Sequence, residues 1–179
     1  MRRRAPVLML LGALGGGPAC APDESSVGAV GPGHQGLRAE YFDGRAFERP
    51  SGVYQDPNID FAGWRLNETI AARGHAARSV SIRWSGQIRF ARAEPTPLGF
   101  ELAGRVRLWI DDALVIDDWV DSGALREPRG TVAVPEAGWR DLRIEWDQLD
   151  GPMTARLRFA PPSSPAVVVP PSALRHFDP

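Results

Sequence analysis

The chain has 179 residues, room for one domain with a sizeable core plus short tails. Its net charge is −1, and all 21 basic residues are Arg spread along the chain, so no field points to nucleic acid or an anionic membrane surface. Gly and Pro are frequent and helix-period apolar stripes are absent, which argues for an all-β fold.

The N-terminus reads as a targeting segment. Arg2-Arg3-Arg4 precede an apolar run from Val7 to Leu14, the length of a signal-peptide core and too short to span a bilayer. Small residues then lead to Cys20, the lone cysteine, which has no partner for an internal disulfide. This arrangement resembles a bacterial lipoprotein lipobox, although Gly17 stands where Leu is usual and Pro18 is uncommon there. The resemblance implies cleavage after residues 1–19, lipidation of Cys20 and an outer-membrane address. An ordinary signal peptide cut nearby would instead leave Cys20 a spare thiol. Loss of residues 1–19 removes three Arg and no acid, taking the net charge from −1 to −4. Residues 20–35, rich in Gly, Pro and Ser, are expected to form a flexible tether, with His34 solvated in it.

The domain is expected over 36–175, with a tail at 176–179. Its first strand is Gly36 to Phe42, with Leu37, Ala39 and Tyr41 on one face. Residues 43–78 read as loop, punctuated by Pro50, Gly52, Pro57, Gly63 and Gly74, with a helical turn between Ala71 and Ala77. Ser79 to Phe90 alternates cleanly, placing Val80, Ile82, Trp84 and Ile88 inward, and Gly86 marks a bulge or bend. Gly99 to Leu102 begins the next strand. Arg105 to Trp119 is predicted as a hairpin turning at Asp111-Asp112, with Leu114 and Ile116 on its inner face. A short strand follows at Thr131 to Val134. Trp139 to Trp146 alternates Leu142, Ile144 and Trp146 against charged residues. After a loop from Asp147 to Pro152, strands are expected at Thr154 to Phe159 and Val167 to Val169. Polar outer and apolar inner faces predict an antiparallel β-sandwich or rolled two-sheet barrel.

Six stretches in order resemble the PA14 domain family, a β-sandwich module of adhesins, glycosidases and toxins. They are the opening strand Gly36 to Phe42, Ile59-Asp60-Phe61 with Trp64, Ser81 to Gly86, the hairpin Val106 to Trp119, the pair Arg143 to Trp146 with Ala155-Arg156-Leu157, and the tail Pro171 to Leu174. The resemblance implies glycan recognition, which in sugar-binding members uses Ca²⁺ held by two consecutive Asp just before the Val-Arg-Leu strand. Here those positions are Ala103 and Gly104, which offer no side-chain oxygen, and Arg105 adds positive charge. The family's Ca²⁺ site is therefore expected to be missing, unless Asp147, Gln148 or Asp150 in the following loop rebuild it.

Asp117, Asp118 and Asp121 form the densest acidic patch. They match no EF-hand spacing and read more simply as a solvated loop bonded to backbone amides. Of six Trp, Trp84 and Trp146 fall in the core phase, and Trp119 is the best candidate for an exposed sugar platform. The expected binding residues are thus Trp119, Asp117, Asp118, Asp147, Gln148 and Asp150. No nucleophile elbow, metalloprotease helix or phosphate loop appears, and His34, His75 and His176 are scattered, so no enzyme is expected. The expected partner is a glycan or, with the Ca²⁺ site lost, an envelope protein.

Overall fold

The computed structural model describes residues 33–74, 79–148, 153–160 and 165–178. The signal segment, Cys20, His75 and Asp150 lie outside them. Two antiparallel sheets enclose one core. The larger contains β1 (His34–Gln35), β2 (Leu37–Asp43), β3 (Arg49–Asp56), β5 (Val80–Phe90), β7 (Arg105–Ile110), β8 (Ala113–Asp118), β10 (Gly138–Gln148) and β13 (Leu174–His176). The smaller contains β4 (Asp60–Phe61), β6 (Thr96–Leu102), β9 (Arg129–Val132), β11 (Ala155–Phe159) and β12 (Val167–Val168). This is the antiparallel sandwich that the alternation predicts.

The two eleven-residue strands β5 and β10 pair along their whole length and form the centre of the larger sheet. On β5 the even positions Val80, Ile82, Trp84, Ile88 and Phe90 are buried, and on β10 so are Leu142, Ile144 and Trp146. The Trp84 and Trp146 rings lie tilted, with centroids 6.4 Å apart, in the middle of the core. The odd positions face outward and form a ladder of alternating charge. Glu40 on β2 faces Arg83 on β5, which faces Glu145 on β10, then Arg107 on β7 and Asp117 on β8. Each favourable cross-strand pair contributes about 0.2–1 kcal/mol, and a one-residue slip would turn these charged side chains toward the core.

A buried polar hub joins the sheet to the α-helix Trp64–Ala72. Asp56, at the end of β3, is 1% exposed. It accepts hydrogen bonds from Trp84 Nε1 at 2.8 Å, Arg73 Nη2 at 2.8 Å and Tyr41 Oη at 3.1 Å. A buried carboxylate is tolerable only when partnered in this way. Burial, with Asp56 second, pushes the Tyr41 phenol far above its ordinary range.

Several expectations need correction. Residues 43–78 are not mainly loop: they hold β3 and the helix, which sits at Trp64–Ala72 rather than Ala71 to Ala77. β3 tolerates Pro50 and Gly52 because it is an edge strand paired only to β2, where a missing N–H costs no ladder bond. His34 and Gln35 are not tether but strand β1, paired to β13, and His34 Nε2 lies 3.2 Å from Asp178. His176, expected in the tail, is the buried end of β13. Gly86 is not a bulge, since β5 and β10 stay in register through it. Its φ is +153°, and a Cβ there would lie 2.4 Å from Arg175 O, so Gly lets β13 approach closely.

The hairpin turn holds as expected: Asp111 and Asp112 both adopt positive φ, 47° and 63°, as a type I′ turn requires. The inward phase of β8 does not hold throughout. A bulge between Leu108 and Trp109 shifts the register, so Ile116 is buried while Leu114 faces outward beside Trp109.

Candidate functional site

The site lies at the end of the larger sheet where β10 finishes, β7 begins and β8 runs into the loop from Trp119. Asp147 is not in a loop as expected. It is the penultimate residue of β10, and its side chain is fully buried. It points outward from the core but lies beneath two guanidinium groups. Arg105 grips both carboxylate oxygens, with Nε donating to Oδ1 at 2.8 Å and Nη2 to Oδ2. Arg45, from the connection between β2 and β3, places Nη2 3.5 Å from Asp147 Oδ1 and donates through Nη1 to Asp121 at 2.9 Å. The hydrogen bond from Arg45 holds the Asp121 carboxyl below the usual carboxylate range.

Trp119 sits over this cluster, half-buried. The guanidinium carbons of Arg105 and Arg107 lie 4.6 and 4.9 Å from its ring centroid. Phe47 stacks on it with centroids 6.4 Å apart and planes inclined at 25°. Phe47 reaches Trp119 because its loop is pinned. Ser81 Oγ accepts from Phe47 N at 3.1 Å and donates to Gly44 O at 3.0 Å. Ala46 and Phe47 both adopt positive φ, 64° and 59°, a conformation disfavoured for residues with side chains and held here by those contacts.

Arg126 organises the rest of the loop. Its Nη2 donates to Gly104 O at 2.7 Å and Val120 O at 2.9 Å, and Nε donates to Asp118. Asp117 accepts from Arg107 Nε at 2.9 Å. Asp117, Asp118 and Asp121 therefore bond to guanidinium groups, not to backbone amides as expected, and Asp117 and Asp118 belong to β8. Of the other expected site residues, Gln148 is buried at the end of β10, whereas Trp119, Asp117 and Asp118 border one surface.

This donor set does not fit Ca²⁺. Gly104 has φ +107°, and a Cβ there would lie 2.1 Å from Asp147 O, so no carboxylate side chain fits. The Ala103 carbonyl accepts from Trp146 Nε1 at 3.1 Å. Asp147, the nearest carboxylate, is shared between Arg105 and Arg45, and a cation there would face both. Among the described residues no group of three His, Cys, Asp or Glu side chains is placed to hold a metal.

The decisive comparison concerns the whole sandwich. The model of the PA14 domain matches residues 33–173. The chain belongs to the PA14 domain family. A relative, the anti-sigma-I factor RsgI3 of Acetivibrio thermocellus, is 30% identical over 144 residues, covering 80% of this chain and 22% of that protein. The chain thus spans about a fifth of the length of this relative. An anti-sigma factor domain-containing protein from Clostridium clariflavum superposes with a TM-score of 0.71 at 28% identity, covering 82% of this chain and 48% of that one. The PA14 sugar-binding domain of an RTX adhesin shares the fold, with a TM-score of 0.64 at 12% identity over 80% of this chain and 99% of that one.

Arg45, Phe47, Ser81 and Arg126 were not legible as parts of this PA14 surface. Their partners are distant in sequence, as Arg45 and Asp121 show at 76 positions apart. One local signal existed: Asp43-Gly44 is a turn dipeptide that marks a hairpin there.

Proposed function

We propose that this PA14 domain is a non-catalytic binding module of the cell envelope that recognises a glycan without calcium at the Trp119 end of the larger sheet. The observation that supports it is the ring of guanidinium–carboxylate pairs, Arg45–Asp121, Arg107–Asp117 and Arg126–Asp118, around a half-buried indole. Sugar hydroxyls need planar donors and acceptors beside an apolar ring surface, and this ring supplies both. Arg105 and Arg45 provide the positive charge that neutralises buried Asp147, so no metal is required to do so. Lipidation of Cys20 and the tether after it would hold the domain off an outer membrane.

A second reading, a protein partner, is favoured by Val120 and Leu125. These are 60% and 62% exposed on the loop beside Trp119, an aromatic and arginine neighbourhood typical of protein hot spots. The anti-sigma factor relatives also accord with a protein contact. A glycan array probed with the protein, with Trp119→Ala and with Val120→Ser/Leu125→Ser separates the two. Glycan recognition predicts hits that Trp119→Ala abolishes and the double substitution leaves. Absence of hits for the unaltered protein would sink it and leave the protein partner.

A further inference from the structure

The Trp119 surface leaves unused a pair of histidines on the outermost strands of the larger sheet. His34 on β1 and His176 on β13 are register partners, so their side chains rise on the same face of adjacent strands. Their ring centroids lie 5.5 Å apart, with planes inclined at 33°. Both Nε2 atoms turn to one carboxylate. Asp178 Oδ2 is 3.2 Å from His34 Nε2, and Asp178 Oδ1 is 3.9 Å from His176 Nε2.

The backbone fixes the state of His176. Its Nδ1 lies 3.2 Å from Gly36 O, and Gly36 is itself held to β13, its N–H donating to Leu174 O at 3.0 Å. A carbonyl oxygen only accepts, so Nδ1 carries the proton and Nε2 keeps its lone pair. An imidazole anchored through Nδ1–H to a carbonyl, with Nε2 bare, is the arrangement that orients a metal-binding histidine. The His176 side chain is 8% exposed and set by the fold, whereas those of His34 and Asp178 are 55% and 72% exposed and free to turn.

We infer that His34 and His176 chelate a zinc-like divalent ion through their two Nε2 atoms, on the strand pair that fastens β1 to β13. Two imidazoles bound to zinc at about 2.0–2.1 Å and a tetrahedral angle put their ring centroids roughly 5 Å apart, close to the spacing present. Asp178 is not preset as a third ligand, because it stands 3.9 Å from His176, but its exposed side chain can turn to the ion, and water completes the shell. Zinc replaces the Nε2 proton of His34, whose exposed ring then carries its proton on Nδ1. Imidazole nitrogens with one carboxylate suit zinc, copper or nickel, not Ca²⁺, which takes about six to eight oxygens. The site is therefore separate in place and in chemistry from the calcium position lost at Ala103 and Gly104.

The test is isothermal titration of metal-free protein, prepared without a histidine tag, with zinc chloride. Zinc binds with a Kd on the order of 10 µM, and Ca²⁺ gives no heat. Zinc at about 0.1 mM raises the melting temperature by roughly 3–6 °C, because only the folded strands bring the two imidazoles together. His34→Ala, at an exposed side chain, weakens zinc at least about tenfold and removes the shift, and His176→Gln does the same. Should the buried His176 variant not fold, His34→Ala carries the test. Cys20→Ser and His75→Ala, which remove the other cysteine and histidine ligands of the chain, leave zinc binding unchanged. So does Trp119→Ala, so this site and the glycan surface fail separately. No heat at about 0.1 mM zinc, zinc binding indifferent to His34→Ala, or its loss with Cys20→Ser or His75→Ala would overturn the assignment.

Discussion

Gly104 is the position where the absence of a carboxylate just before β7 is most open to test. Gly104→Ala and Gly104→Asp each introduce a Cβ at φ +107°, a conformation costing about 1–3 kcal/mol for a residue with a side chain. The same Cβ falls 2.1 Å from Asp147 O, a rigid backbone atom in the central strand pair. Relief requires a backbone shift, and overpacking of this kind costs about 1–3 kcal/mol more. The sum is about 2–6 kcal/mol, with about 4 as the working value, which for a domain of this size lowers the melting temperature by roughly 8–16 °C. The assay is urea unfolding followed by tryptophan fluorescence, since Trp146 donates to Ala103 O next to the substituted residue. Adding Ca²⁺ to Gly104→Asp should recover none of the loss, because Arg105 and Arg45 still occupy Asp147. A Gly104→Ala variant within about 0.5 kcal/mol of the parent, or one carboxylate at 104 rescued by Ca²⁺, would refute the reasoning.

Further predictions concern the hub, the phenol and the charge ladder. Asp56→Ala strips Trp84, Arg73 and Tyr41 of their common acceptor and should cost about 3–5 kcal/mol in urea unfolding; a loss below about 1 kcal/mol would contradict its role. Because burial raises the Tyr41 pKa in the folded state, its contribution is full below the unfolded value of about 10 and drains away as pH climbs beyond it. Melting temperature should therefore fall above about pH 10, and less steeply in Tyr41→Phe; parallel pH profiles would sink this explanation. A double-mutant cycle of Arg83→Ala and Glu145→Ala should return a favourable coupling of about 0.2–1 kcal/mol that shrinks at high salt, whereas a salt-independent value would speak against an ionic ladder.

The periodic strands could be read from the chain because each alternation has a single consistent inner face. Trp84 and Trp146 stay in phase with Ile82 and Ile144, and both pairs are buried. What escaped depended on neighbours. Pro50 and Gly52 break a central strand but not an edge strand, and nothing local says which β3 is. Leu114 alternates inward on paper, and only the bulge opposite it, at Leu108 and Trp109, reverses its direction. At the site, Trp119 and the acids beside it were visible by type. Their arginine partners were not, because Arg45 and Arg126 meet them through loops folded back over the sheet end. The fate of Asp147 likewise turns on β10 running two residues beyond Trp146, which the polar composition there concealed.

The central claim is that the Trp119 surface recognises its ligand without calcium. The most direct measurement is glycan binding and thermal melting of the protein in Ca²⁺ and in chelator, side by side. The account predicts the same glycan hits and the same melting temperature in both, with the hits lost in Trp119→Ala. Hits or a higher melting temperature only in Ca²⁺ would contradict it, because they would require a metal where Arg105 and Arg45 hold Asp147.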